Sequence, residues 1–241
     1  ATRPASCSAT SSRAMKQQDN LNPMRDTQNR APRRVFLRGI GALSLASALS
    51  GCGVGELLPG QGPPPRLFRL SPKSTFDTDL PTVDWQLVIE EPISPTGLST
   101  TRIPLQRRAV ELEYYARANW TDRAPAMVHT LAVESFENSN RIIAVGRESL
   151  GLRSDFILKL DLREFQTEYS GDGPPDAHVR LNAKLVQMPQ RTIIGSQRFT
   201  RRITAKADTL EDIVEAFDDA LGKVLKELVT WTLRSGQAAR G

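Results

Sequence analysis

Four residues, Leu49, Ser50, Gly51 and Cys52, constrain this chain most, because they divide a leader from the part that folds. Only a cysteine thiolate is nucleophilic enough to accept a diacylglyceryl group. The small residues Ser50 and Gly51 let a peptidase approach the backbone, and Leu49 fills an apolar subsite. The pattern is typical of a lipoprotein cleavage site and predicts Cys52 as the lipidated first residue of the mature protein. The alternative is a short core helix that ends in Gly-Cys-Gly.

The residues before this site are typical of an export signal. A pair of arginines and the apolar residues after it are similar to the twin-arginine signal of the Tat export route. The matching residues are Arg33, Arg34, Phe36 and Leu37. An ordinary basic segment of the general secretion route is the alternative. The apolar segment 39–50 is shorter than the roughly 20 residues that span a bilayer, so residues 1–51 are interpreted as a leader and signal peptide.

The formal net charge of +5 does not indicate a nucleic-acid partner. Eight of the 32 Lys and Arg residues but only two of the 27 Asp and Glu residues lie within residues 1–51. The rest of the chain is therefore near neutral, and the basic excess belongs to the leader. Cys7 also lies in the leader, which leaves Cys52 without a disulfide partner in the mature chain.

Residues 52–65 are predicted to form the lipidated cysteine and a tether. The segment 53–65 is rich in Gly and Pro, which do not sustain a helix or a strand ladder. At roughly 3.1–3.5 Å per residue it reaches at most about 40 Å, so a folded domain can stand off its membrane. We predict a single domain over residues 66–235 and a disordered tail over 236–241.

The first half of the domain is predicted to contain strands and one helix. Leu67 to Leu70 forms a short strand, and apolar residues alternate with polar ones from Val83 to Ile89. A further alternation directs one set of side chains inward and Tyr115 outward. The predicted inward set is Val110, Leu112, Tyr114 and Ala116. Trp120 is expected to be a buried anchor for the helix that follows it. This helix is predicted from about Pro125 to Phe136, with Thr121 or Asp122 as its cap.

The second half is predicted to be a meander of long antiparallel strands followed by a long helix. The alternation from Phe156 to Tyr169 changes phase near Arg163, which indicates a β-bulge there. Asp208 or Thr209 is predicted to cap the start of the last helix, which has a broad apolar stripe, and Gly236 is predicted as its C-cap. The fold class is therefore α+β, with a mixed, largely antiparallel sheet and two main helices packed on it.

The chain contains none of the common catalytic or metal-binding motifs. Its two histidines, His129 and His178, are expected to be structural, so no catalytic residue, metal site or cofactor is predicted beyond the lipid on Cys52. A cluster of arginines lies on the last strand of the meander: Arg191, Arg198, Arg201 and Arg202. It is interpreted either as a charged face that discourages pairing between sheet edges or as a contact with anionic lipid or a partner.

The order of these features resembles that of the ABC-type transport auxiliary lipoproteins, a PqiC/YmbA-like group. Besides the cleavage site, the resemblance depends on a short strand, a tyrosine-rich strand that leads into a helix, an apolar-acidic strand and the last helix. These are residues 67–70, 112–120, 160–165 and 216–221. The matching aromatic positions are Tyr114 or Tyr115, and Trp120.

The resemblance implies a non-enzymatic, lipid-anchored protein of the bacterial periplasm. Its implied partners are an MCE-domain protein and the permease and ATPase of an ABC transporter that moves phospholipid or other hydrophobic molecules between membranes. A homo-oligomer is also compatible with it. Gly53 is not the aspartate that holds lipoproteins at the inner membrane in enteric bacteria, so the periplasmic face of the outer membrane is expected.

Two other classes of function stay open. The first is an exported lipoprotein enzyme, because the Tat route carries folded proteins that often hold cofactors. The second is an adaptor or chaperone of envelope assembly that holds a partner strand at a sheet edge. In each non-enzymatic case the protein acts by binding a partner through its surface. Aromatic side chains are enriched at binding surfaces, so Tyr115 is the candidate partner contact.

Overall fold

The computed structural model describes residues 63–147 and 154–240, which form eight strands and two helices. The elements are β1 Arg66–Phe68, β2 Val83–Ile89, β3 Arg102–Arg108, β4 Glu111–Trp120, α1 Ala124–Ser139, β5 Ile142–Arg147, β6 Phe156–Glu168, β7 Asp176–Gln187, β8 Thr192–Thr204 and α2 Leu210–Ala238. The predicted export and lipidation residues lie outside the described residues: Arg33, Arg34, Phe36, Leu37, Leu49, Ser50, Gly51 and Cys52. The predicted leader and tether stay predictions.

One sheet contains all eight strands and is organised around β6. The first residues of β6 pair in parallel with β2, and its last residues pair in parallel with β3. β7 pairs with β6 in the antiparallel sense along its length, and β8 continues the sheet beyond β7. The sheet extends from β2 to β5 and from β3 through β4 to β1. Because β6 has 13 residues, it can hold two shorter strands end to end.

The prediction of a mixed sheet with two packed helices is confirmed, but the description as largely antiparallel is not. Four of the seven pairings between the named strands are parallel. The predicted meander is present as β6, β7 and β8, with a register shift between Leu162 and Glu164 where the bulge was expected. The parallel pairings join strands that are distant in the chain. They were not predicted because the alternation of apolar and polar residues indicates which side of a strand is buried but not which strand lies beside it.

The core lies between the sheet and the two helices. Trp120 of β4, Phe165 of β6 and Phe217 of α2 form its centre, with ring centroids 5.1–5.7 Å apart. Trp85 and Phe156 form a second aromatic pair at 4.9 Å. The expectation that Trp120 is a buried anchor is confirmed, because only 1% of its surface is exposed. Aromatic pairs of this geometry add to the free energy that burial of their apolar area provides.

The helices begin differently from one another. The hydroxyl of Thr209 accepts a hydrogen bond from the backbone N–H of Asp212, as expected for the N-cap of α2. The predicted cap of α1 is wrong. This helix begins at Ala124 after Arg123, without a side-chain cap, and Pro125 occupies its first turn. Proline has no N–H to be capped and its φ already suits a helix, so α1 can begin without a side-chain cap.

The prediction that Gly236 ends α2 is also wrong, because the helix continues through it to Ala238. A Cβ atom at position 236 would lie 2.5 Å from Cζ2 of Trp85. Glycine is therefore present where the helix approaches the indole of β2, and not because the backbone turns away. Residues 236–238 belong to the helix rather than to the predicted tail.

The inward side of β4 is the opposite of the predicted one along its first half. Val110 is 97% exposed, Leu112 is exposed as well, and Tyr115 packs against the core. Arg117 has a φ of 56°, and the pairing with β3 shifts register around it. This irregularity changes the phase, so that Tyr115 before it and Ala118 after it both point inward.

Candidate functional site

The candidate site lies on the meander side that faces away from the core, which we call the outer face. Side chains alternate along each strand, so Leu181 and Phe199 are buried beneath α2 while Asn182 and Arg198 point to the outer face. The polar residues of this face come from β6, β7 and β8 in matching rows. Two groups of charges divide it into a paired end and a basic cleft.

The paired end is a network of neutralised charges. Nδ1 of His178 lies 2.6 Å from Oε1 of Glu168, and its Nε2 lies 3.2 Å from the hydroxyl of Thr200. Arg202 pairs with the other oxygen of Glu168 at 2.9 Å, and Arg180 pairs with Glu164. The expectation that His178 is structural agrees with these contacts, because both ring nitrogens have partners.

This network also brings three possible metal ligands together. One ligand atom from each of Glu164, Glu168 and His178 lies within 4.8 Å of the others. Both carboxylates already have an arginine partner, and the side-chain nitrogen of Gln166 donates to both of them at 2.6 and 3.1 Å. A bound cation would have to compete with two guanidinium groups for the same oxygens. The arrangement therefore fits an ion-paired network better than a metal site.

The basic cleft lies at the other end of the outer face and is open to solvent. It has a volume of about 360 Å³. The polar groups that line it are Lys159, Asp161, Arg163, Asn182, Lys184, Ser196, Gln197 and Arg198. One wall is Ile93, which follows β2, forms a bridge to Asp161 of β6 and is 69% exposed. Four cationic side chains and one carboxylate give this cleft an excess of positive charge.

The residues Tyr115, Tyr169 and Asp208 form a polar chain where β4 approaches the start of α2. The hydroxyl of Tyr169 donates to Asp208 at 2.7 Å, and the hydroxyls of Tyr115 and Tyr169 are 2.9 Å apart. Burial raises the pKa of both tyrosines, and for Tyr169 the hydrogen bonds to Tyr115 and Asp208 raise the pKa further. Tyr115 is therefore half-buried and hydrogen-bonded, so the prediction that it points outward is wrong. Its role as a partner contact stays a prediction.

The remaining predicted residues separate into buried and surface positions. His129 lies in α1 with Nε2 2.9 Å from the carbonyl oxygen of Ile89, a structural role as expected. The arginine cluster of β8 is divided by the alternation of the strand. Arg201 reaches α2 and pairs with Glu227, whereas Arg198 and Arg202 lie on the outer face. Sequence reasoning grouped these arginines but did not identify Lys184 or Asn182, which only strand pairing brings beside Arg198.

The model of the family described as "ABC-type transport auxiliary lipoprotein component" matches residues 68–229 of this chain. The chain belongs to this family. The predicted resemblance to this family is thereby confirmed. A lipoprotein family indicates a location in the cell envelope. Among the described residues no helix is both long and apolar enough to cross a bilayer.

Solved structures and a sequence relative support this assignment. The crystal structure of a Xanthomonas campestris protein is 32% identical, with a TM-score of 0.70, and the match covers 73% of this chain and 98% of that one. An uncharacterized protein at 16% identity and a TM-score of 0.51 shares the fold. An uncharacterized protein of Bradyrhizobium diazoefficiens is 28% identical over 228 residues. That match covers 90% of this chain and 58% of the relative, so the chain spans less than two thirds of its length.

Proposed function

We propose that this chain is a lipid-anchored, non-catalytic adaptor of an ABC transporter that works with an MCE-domain protein. The system would move phospholipid or other hydrophobic molecules between the inner and outer membranes. The observation that carries the proposal is the family match over residues 68–229, which names an auxiliary component of ABC-type transport. The adaptor would be anchored through Cys52 at the periplasmic face of the outer membrane.

The shape of the described domain supports a role as an adaptor. Both helices pack on the core, and the outer face of β6, β7 and β8 stays open and polar. Such a face can hold a partner by matching charge and shape, and a lipid anchor would raise the local concentration of the adaptor near a membrane-bound partner. The tether that we predict would let this face reach its partner.

Co-purification from the source bacterium tests the proposal. The tagged full-length chain, cross-linked in cells, is expected to bring down the MCE-domain protein and the ATPase of one transport system. The matched control is Cys52→Ser, which keeps the folded domain but removes the predicted anchor. This variant should incorporate no labelled palmitate and recover much less of both partners. If neither subunit accompanies a lipidated wild-type chain, the proposal is wrong.

The second candidate is an adaptor or chaperone of envelope assembly, and one observation favours it. Among the described strands β8 pairs only with β7, so one side of this 13-residue strand is unpaired. An extended segment of a partner can add to such an edge through backbone hydrogen bonds. Cross-linking from the β8 edge distinguishes the two functions. Attachment to unassembled outer-membrane proteins favours this candidate, and attachment to transporter subunits favours the first.

A further inference from the structure

The basic cleft contains two cations that have no ion-pair partner among the described residues. Lys159 reaches Glu90 at 2.5 Å, and Arg163 pairs with Asp161. Lys184 and Arg198 differ from them, because neither has a carboxylate within 4.0 Å among the residues that the structure describes. Most other charges of the outer face are paired, so these two side chains are available to a ligand.

Strand pairing also places like charges opposite one another in this cleft. Lys159 of β6 lies directly across from Lys184 of β7, and both side chains line the same cavity. Like charges directly opposite on one sheet face repel and destabilise the pairing. Glu90 pairs with Lys159 and draws it toward one side, whereas in the described part of the chain no carboxylate does the same for Lys184. An anion between Lys184 and Arg198 would relieve this repulsion.

The neutral groups of the cleft suit an anion with several oxygen atoms. Asn182 lies in register between Asp161 and Arg198 and lines the cavity, and its side-chain amide carries an N–H donor. Ser196 lies across from Lys184 and contributes a hydroxyl to the cavity. Amide and hydroxyl groups can both donate to an oxyanion. The cleft therefore offers two cations and two neutral donors around one space.

We propose that the basic cleft binds a phosphate group, supplied as inorganic phosphate or as the phosphodiester of a lipid headgroup. The guanidinium of Arg198 matches two phosphate oxygens at once, whereas the ammonium of Lys184 acts as a point charge. Asn182 and Ser196 satisfy the remaining oxygens. The exposed side chain of Ile93 forms an apolar rim for the carbon chain next to the phosphate. This inference rests on the proposed function and extends it, because it assigns phosphate groups to the auxiliary subunit as its class of ligand.

The test uses the purified full-length chain and two probes. The first is inorganic phosphate, measured by calorimetry at low ionic strength. The second is a set of vesicles of phosphatidylglycerol, compared with vesicles of phosphatidylcholine in a flotation assay. The variant Lys184→Gln with Arg198→Gln is expected to weaken binding at least about tenfold, because it removes two charge-assisted contacts. The matched control, Lys206→Gln with Lys223→Gln, loses the same charge away from the outer face and should bind as the wild type does.

The outcomes separate the two sources of phosphate. Binding of inorganic phosphate that the cleft variant loses supports a site for the free anion. Loss of flotation alone supports a headgroup site. The proposal is overturned if neither probe binds, or if the cleft variant and the control lose binding equally. The melting temperature without phosphate adds a further readout. A purely structural role for Lys184 predicts a lower melting temperature in the cleft variant, whereas our proposal predicts an unchanged or higher one, because the variant also removes the repulsion from Lys159. Failure here leaves the transport proposal intact, since co-purification tests that independently.

Discussion

The two sides of the meander are built from the same three strands but have different roles. On the inner side Leu181, Phe199 and their neighbours are buried in the core, and the ring of Phe199 packs against Trp231 of α2. On the outer side the alternate residues are charged or polar and form ion pairs or line the basic cleft. The inner side therefore carries the free energy of folding, and the outer side is free to carry recognition.

Magnitudes support this division. Full burial of one large apolar side chain contributes about 1.5–3 kcal/mol, whereas an exposed ion pair contributes about 0–1 kcal/mol. Substitutions on the two sides should therefore differ in kind. Inner substitutions should change the free energy of unfolding, and outer substitutions should change binding at nearly constant stability.

The largest effect is expected at Trp120, which is fully buried among Phe165 and Phe217. Trp120→Ala should lower the free energy of unfolding by about 3–5 kcal/mol, because it leaves a cavity under α2. Val110→Ala, at the exposed tip of the same hairpin, is the control and should change it by less than about 0.5 kcal/mol. Urea denaturation measures both, and similar losses would contradict the assignment of the core.

Two glycines of α2 allow a tightly packed position and an open position to be compared within one helix. A Cβ atom at Gly236 would meet the indole of Trp85 at 2.5 Å, whereas at Gly222 the nearest atom is Cδ of Lys73 at 4.0 Å. Gly236→Ala should destabilise by about 1–3 kcal/mol through overpacking. Gly222→Ala should stabilise by up to about 1 kcal/mol, because alanine favours a helix. Thermal unfolding compares the two, and a gain in both variants would refute the close contact.

The polar chain of Tyr115, Tyr169 and Asp208 lies at the border between the two sides. Burial raises the pKa of both tyrosines above the unfolded value of about 10. At a pH between the unfolded and the folded pKa of a tyrosine, the folded state holds more protons than the unfolded state. The contribution of this proton binding to stability is therefore fully present below about pH 10 and is lost as the pH rises. Urea denaturation at pH 8 and pH 11 should show a smaller loss for Tyr115→Phe with Tyr169→Phe than for the wild type. An equal loss in both proteins would exclude this pair as the cause.

The same polar chain determines the expected effect of removing Tyr115. Because its ring packs on the core and its hydroxyl contacts Tyr169, Tyr115→Ala should reduce the free energy of unfolding. Tyr115→Phe keeps the ring and should cost only about 0.5–1.5 kcal/mol, the net contribution of one hydrogen bond. Partner capture by Tyr115→Phe then tests the contact role without unfolding the domain. Unchanged capture would assign the tyrosine to the core alone.

The smallest effect is expected on the outer face. Lys159→Gln removes the ion pair with Glu90 but also the repulsion from Lys184, so these two changes oppose each other. The free energy of unfolding should change by less than about 0.5 kcal/mol, as measured by urea denaturation. A loss of several kcal/mol would mean that the outer face contributes to the fold as the inner side does.

The sequence by itself determined the meander, its bulge near Arg163, the N-cap of α2 and the family. These features depend on the alternation of apolar and polar residues, on helix caps and on short motifs, and each of these signals comes from residues that are close together in the sequence. They identify which residues a strand buries and where a helix begins. They do not identify which strand lies beside another.

Only the tertiary structure decided the parallel pairings, the orientation of Tyr115 and the basic cleft. The pairing of β6 with β2 and β3 depends on contacts between distant segments, and a left-handed residue at Arg117 reverses the predicted sides of β4. The sequence likewise predicts a helix end at Gly236, and only the packed structure shows that glycine is present there because the indole of Trp85 lies close to the helix. In the sequence Lys184 is an ordinary surface residue, and Arg198 is one of four clustered arginines. They become a possible site because two strands place them in one cavity, which long-range packing alone determines.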